Sequence, residues 1–194
     1  MLARVPTAGI ALLAAMLVQG CDDGPTNANR PSRIVDARSD FVAGYVGARN
    51  PDMDVVRAEV SFDGTSYEFR STMAGALGTT PGALYVWGVN RGAGTARFDI
   101  APGVLFDAVV VLRADGTGSV RDLVTNTPTD LPAGSVTVSG AELRARVPAA
   151  LLVSRGFAAH QYTVNFWPRL GVGNNNQISD FAPDNSNVPV RDVR

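Results

Sequence analysis

Between Asp54 and Met73 the side chains alternate so regularly that only one local structure fits them. Val56, Ala58, Val60 and Phe62 fall on one side, and Arg57, Glu59 and Ser61 on the other. That is the period of a half-buried strand. Asp63-Gly64 interrupts the run, after which Tyr67, Phe69 and Met73 alternate against Glu68, Arg70 and Thr72. Such a dipeptide between two alternating runs marks a hairpin, because the tight turn needs positive φ. A lone hairpin is marginal in water, so the rest of the chain has to supply a layer against its apolar face.

The rest of the sequence reads the same way. Ala83 to Asn90 is apolar on both faces, as a central strand would be. Arg91-Gly92-Ala93-Gly94 turns the chain; with no helix following it, it offers no helix N-terminus to a phosphate. Ala96, Phe98 and Ile100 alternate with Arg97 and Asp99, Leu105 to Arg113 is nearly all apolar, and Ser119 to Val124 pairs back. Pro128 and Pro132 mark a loop, and short strands follow at Ser135–Ser139, Leu143–Val147 and Tyr162–Phe166. Pro148 to Leu152 can start one helical turn, since Pro is tolerated at the first helical position. The expectation is an all-β chain: an antiparallel β-sandwich of eight or nine strands with at most one short helical turn, a small closed barrel being the alternative.

The N-terminus carries a different signal. Met1 and Arg4 precede an apolar run, Val5 to Val18. At about 14 residues it matches a secretory h-region and falls short of the roughly 20 that span a bilayer. Val18-Gln19-Gly20-Cys21 resembles the lipobox of bacterial lipoproteins, and Cys21 is the one cysteine. The resemblance implies that residues 1–20 are removed as a signal peptide and that Cys21 is acylated on sulfur. It places the protein in the cell envelope, anchored to a membrane, with its domain facing the periplasm or exterior. Residues 21–33, polar and holding Pro and Asn, read as a flexible tether. Residues 34–170 then form the sandwich, and residues 171–194 an Asn/Asp/Pro-rich tail that either wraps the sheet through Phe181 and Val188 or stays loose.

Charge and composition narrow the function. Net charge is −1 over 194 residues, so there is no nucleic-acid footprint. A hydrolase triad needs a histidine base, and the one His, His160, stands near Ser154 without a Gly-x-Ser-x-Gly elbow. One His and a lipid-bearing Cys do not make a zinc site. The three glutamates, Glu59, Glu68 and Glu142, fall on solvent-facing strand positions. Asp107 lies inside an apolar strand and has to be paired; Arg97 and Arg113 are the nearby partners. The reading is therefore of a non-catalytic binding or assembly module, partnered by the membrane and by an envelope protein or glycan. A carbohydrate-binding module is the alternative, and a hydrolase using acids such as Asp107 a third class.

Two constellations bear on ligands. Asp36 and Asp40, with Asp52 and Asp54 just before the hairpin, are loop-borne oxygen donors of the kind Ca²⁺ takes in groups of six to eight. Asn174 to Asn176, Asp180, Asp184 and Asn185 in the tail add further donors. Trp87 and Trp167, in predicted strands, are the candidates for an aromatic sugar platform. The stretch Asn50-Pro51-Asp52-Met53-Asp54-Val55-Val56, the hairpin after it, and Val147-Pro148-Ala149-Ala150-Leu151-Leu152 resemble secreted β-sandwich modules of the DOMON-like or glucodextranase C-terminal type. Those modules often carry Asp-Pro-x-Gly-Asp; here the segment is Asp36-Ala37-Arg38-Ser39-Asp40, without the Pro and Gly.

Overall fold

The alternating runs pair as their periods require. In the computed structural model, which describes residues 30–194, the strands are β1 (Ser32–Val35), β2 (Val55–Phe62), β3 (Ser66–Met73), β4 (Ala83–Asn90), β5 (Thr95–Ala96), β6 (Leu105–Phe106) and β7 (Ala108–Leu112). There follow β8 (Gly118–Asp122), β9 (Thr127–Asp130), β10 (Val136–Ser139), β11 (Glu142–Pro148), β12 (Thr163–Leu170), β13 (Val188–Pro189) and β14 (Arg191–Asp192). They form two large sheets, ordered β1-β2-β3-β11-β10 with β14 beside β2, and β13-β12-β4-β7-β8-β9, plus the two-stranded pair β5-β6. Every pairing is antiparallel except β14 with β2. The fold is all-β, two layers of antiparallel sheet. The leader, Cys21 and most of the tether lie outside the described residues.

The hairpin sits where the sequence puts it. Phe62 pairs with Tyr67, and Asp63 N–H donates to Ser66 O at 3.1 Å, which leaves Gly64 (φ +96°) and Thr65 as the turn. The Asp63 carboxylate accepts from Thr65 N, Ser66 N and Thr65 Oγ1, which hold its pKa down at about 2.

Between the sheets, Tyr67 and Phe69 meet Trp87, Tyr162 and Phe166, with ring centroids 5.0 Å apart for Phe69–Trp87 and 4.8 Å for Trp87–Phe166. A second apolar cluster lies on the outer face of the β4 sheet, where Leu84, Val86 and Trp167 are covered by Phe98, Val104, Phe106, Ile178 and Phe181. β4 is thus buried on both sides, as its unbroken apolar run demands. Gly88 lets Trp167 lie flat there: a Cβ on it would stand 2.5 Å from the indole.

Several expectations change. The tail is part of the sandwich: β13 joins one sheet, β14 the other, and Ile178, Phe181 and Ala182 are buried. Pro128 lies in β9 rather than a loop, which an edge strand permits because one side needs no donor. Past Ala96 the predicted strand gives way to turns: Phe98 packs down and Ile100 is exposed. Among the described residues there are four three-residue 3₁₀ turns (51–53, 149–151, 159–161 and 175–177), one of them at the predicted Pro148–Leu152 position.

Candidate functional site

Three segments meet where β1 ends and β2 begins. Asp36 follows β1, Asp54 precedes β2, and the tail delivers Asp180 between them. The contacts that hold them are local. Ser39 N–H, on a residue with φ +65°, donates to both Asp54 oxygens at 3.0 Å. Val55 N–H donates to Asp180 Oδ2 and Phe181 N–H to Asp180 Oδ1, each at 2.8 Å. Ser179 Oγ donates to Met53 O at 2.7 Å, and Val42 N–H to Ser179 O at 2.8 Å, which stitches the loop after β1 to the tail.

The carboxylates converge as two overlapping groups. Oxygens of Asp36, Asp40 and Asp184 lie within 4.8 Å of one another, as do those of Asp40, Asp54 and Asp180. Asp40 belongs to both. Burial pushes Asp180 up to about 8, with the Asp36 and Asp40 charges adding to it. Burial likewise lifts Asp36 to about 7, reinforced by Asp40 and Asp184, and raises Asp54. Asp36 Oδ2 is buried with no hydrogen-bond partner. Arg38 is the cation that acts on Asp54. The cluster opens into a cleft of about 390 Å³ lined by Asp40, Asp180 and Asp184 together with Phe41, Ile100 and Phe181.

Of the predicted metal residues, Asp36, Asp40 and Asp54 come together and Asp52 does not. The Asp52 side chain turns inward, fully buried, and accepts from Thr80 N at 2.7 Å and Thr80 Oγ1 at 2.5 Å, tying the 3₁₀ turn to the loop before β4. Asp180 and Asp184 join from the tail, while Asn185 instead accepts from Gly103 N–H at 2.7 Å. The aromatic platform is not formed. Trp87 is 0% and Trp167 1% exposed, one between the sheets and the other under the 98–106 excursion, so neither offers a face to a sugar.

The remaining acids resolve differently from their sequence reading. Asp107 is partnered by Arg91, not by Arg97 or Arg113. Arg91 Nε donates to Asp107 Oδ1 at 2.6 Å, and its NH2 to Asp122 Oδ2 at 2.9 Å, with both Arg91 and Asp107 fully buried. Arg155 adds a bond to Asp122 at 2.8 Å; against the cost of burial, these bonds hold Asp122 well below the usual carboxylate range. The strand register brings them together: Arg91 directly follows β4, Asp107 directly precedes β7, and Val89 pairs with Ala108. Glu59, expected in solvent, is 7% exposed beneath Arg33, Arg57 and Arg70. Ser154 Oγ donates to Phe157 O at 2.6 Å, and His160 is exposed on a 3₁₀ turn.

Comparison of the chain with protein-family models, with curated proteins and with solved structures returns no match.

Proposed function

We propose that this chain is a membrane-anchored envelope lipoprotein whose single β-sandwich is a non-catalytic binding module, with the acidic cleft as its cation-binding end. The anchor rests on Val18-Gln19-Gly20-Cys21 and the apolar run before it. No helix among the described residues is long and apolar enough to cross a membrane. The observation that carries the binding role is the convergence of Asp36, Asp40, Asp54, Asp180 and Asp184 as two groups sharing Asp40, three of them lining one cleft, with Asp36 Oδ2 buried and unpartnered. Carboxylates this close repel one another when ionised, and a hard cation relieves the repulsion while using the oxygens as ligands. Ca²⁺ is the ion this donor set suits.

Two measurements test the two halves. Thermal melts with millimolar Ca²⁺ and then with chelator read the site, since binding only to the folded state stabilises by about 2.7 kcal/mol at a hundredfold excess over Kd. Superimposable curves would remove the site. Cell fractionation of Cys21→Ser reads the anchor: the variant leaves the membrane fraction or stays unprocessed, because stable attachment needs acyl chains on that sulfur. Normal processing and full membrane retention of the serine variant would end the lipoprotein reading.

A further inference from the structure

The outer face of the β1-β2-β3-β11 sheet is the second charged surface of the molecule, and its registers line up more arginines than carboxylates. Arg33 pairs with Glu59, Glu59 with Arg70, and Arg70 with Arg144, so one rung across four strands reads Arg, Glu, Arg, Arg. Arg57 and Arg146 flank that rung, and Arg191 on β14 extends the face beside Ser61. Glu59 contacts Arg33 at 3.5 Å, Arg57 at 2.5 Å and Arg70 at 3.6 Å, so one carboxylate is shared by three guanidiniums. Glu142 is likewise shared between Arg70, at 3.8 Å, and Arg144. Arg144 and Arg146 remain exposed. Arg146 bonds Asp63 at 2.7 Å and stands opposite Glu68, so Arg33, Arg57, Arg70, Arg144, Arg146 and Arg191 meet only Glu59, Glu68, Glu142 and Asp63, and the face keeps a net positive charge that attracts an anionic surface.

The chain path says which anion. Pro31 lies on this same face, lining a hollow of about 160 Å³ with Glu59, Ser61, Glu68 and Arg70. Cys21 is ten residues earlier in the sequence, a reach of at most about 35 Å when fully extended. The anchoring position and the arginine face are therefore held within one domain's width of each other. We infer that this arginine face docks the sandwich on the anionic headgroups of the membrane that holds its lipid, an inference that rests on the lipoprotein reading above. Asp36 directly follows β1 and Asp54 directly precedes β2, so the acidic cluster lies at the end of this sheet, beyond Arg57.

The described sandwich closes its core within residues 32–192, so the chain from residue 21 with Cys21→Ser tests the face without the lipid. It is floated with phosphatidylcholine vesicles with and without phosphatidylglycerol. The expected result is association with the anionic vesicles alone, weakened by salt. Each arginine near such a surface is worth about fivefold, or about 1 kcal/mol, so Arg70→Gln/Arg144→Gln should bind about thirtyfold less. Arg144→Gln alone should bind about fivefold less and melt no lower than the parent, whereas a purely structural salt-bridge residue would lower the melt and leave vesicle binding alone. Equal binding to both vesicles, no binding, or unchanged binding by the double variant overturns the proposal. So does inorganic phosphate that displaces the protein from the vesicles at low millimolar concentration, since the site would then hold a free anion. A native chain found soluble in the fractionation, with vesicle preference intact, would remove the anchor and leave the docking face standing.

Discussion

Asp107 and Asp180 are buried alike, 0% and 2% exposed, at opposite ends of the β4–β12 ladder. At the Asp107 end a fully buried guanidinium lies against the carboxylate, a second carboxylate and a second arginine complete the set, and main-chain groups fill the remaining valences: Arg91 NH1 donates to Val153 O at 3.1 Å, and Ala93 N–H to Asp107 Oδ2 at 2.8 Å. At the Asp180 end there are backbone N–H groups and four more carboxylates, and no guanidinium is bonded to Asp36, Asp40, Asp54 or Asp180 among the described residues. Burial is equal and compensation opposite. The first end is closed by its own counter-ions; at the second, burial and neighbouring carboxylates push Asp180 and Asp36 upward instead.

The largest break in that comparison is Arg91→Met. It leaves Asp107 buried without its counter-charge and should cost about 3–5 kcal/mol in denaturant unfolding. A companion Asp107→Leu in the same chain should recover much of the loss, because an apolar pair of similar volume replaces a buried ion pair at little cost. If Arg91→Met costs no more than Asp180→Asn, the two ends are not different in kind.

A smaller effect comes from pH, and the ends should pull in opposite directions. Unfolded aspartates titrate near pH 4, while Asp36 and Asp180 in the folded chain titrate at about 7 and about 8. Their contribution is therefore complete below pH 4 and is lost as pH rises through 7 and 8. Asp122, held low by Arg155 and Arg91, contributes above pH 4 and loses that contribution as pH falls through its folded value. Asp36→Asn should flatten the loss between pH 5 and 8 and leave the acid limb in place, as followed by chemical denaturation across pH. A variant whose profile overlays the parent would show that the crowding does not reach the folding equilibrium. Saturating Ca²⁺ should flatten the same limb in the parent.

How legible all this was depends on the range of the interaction concerned. The β2–β3 hairpin, the central position of β4 and the all-β class follow from alternation, run length and one turn dipeptide, all local in sequence. The fates of Trp87 and Trp167 do not. Their strands were readable, but whether an outward indole is exposed depends on what crosses over it, and Phe98, Phe106 and Phe181 come from segments far along the chain. Arg91 looked like part of a glycine turn because its neighbours are Gly92 and Gly94, while its counter-ions stand 16 and 31 residues away. Asp52 and Asp54 are two apart and would share a face in an extended strand, but Asp52 sits in the 51–53 3₁₀ turn, which sends its carboxylate to Thr80 while that of Asp54 meets Ser39. The acidic cluster was half visible: its loop members were near one strand start, whereas Asp180 and Asp184 could be placed only once the tail was known to fold back.

That return of the tail has a kinetic consequence. Residues 178–192 add the strand beside β12, the strand beside β2, the cover over Trp167 and two of the clustered carboxylates. Contacts between segments so distant in sequence form slowly, since the loop closure precedes the reward. Until residues 178–192 dock the sandwich is unfinished: Trp167 stands without Ile178 and Phe181 over it, and the acidic end lacks Asp180 and Asp184.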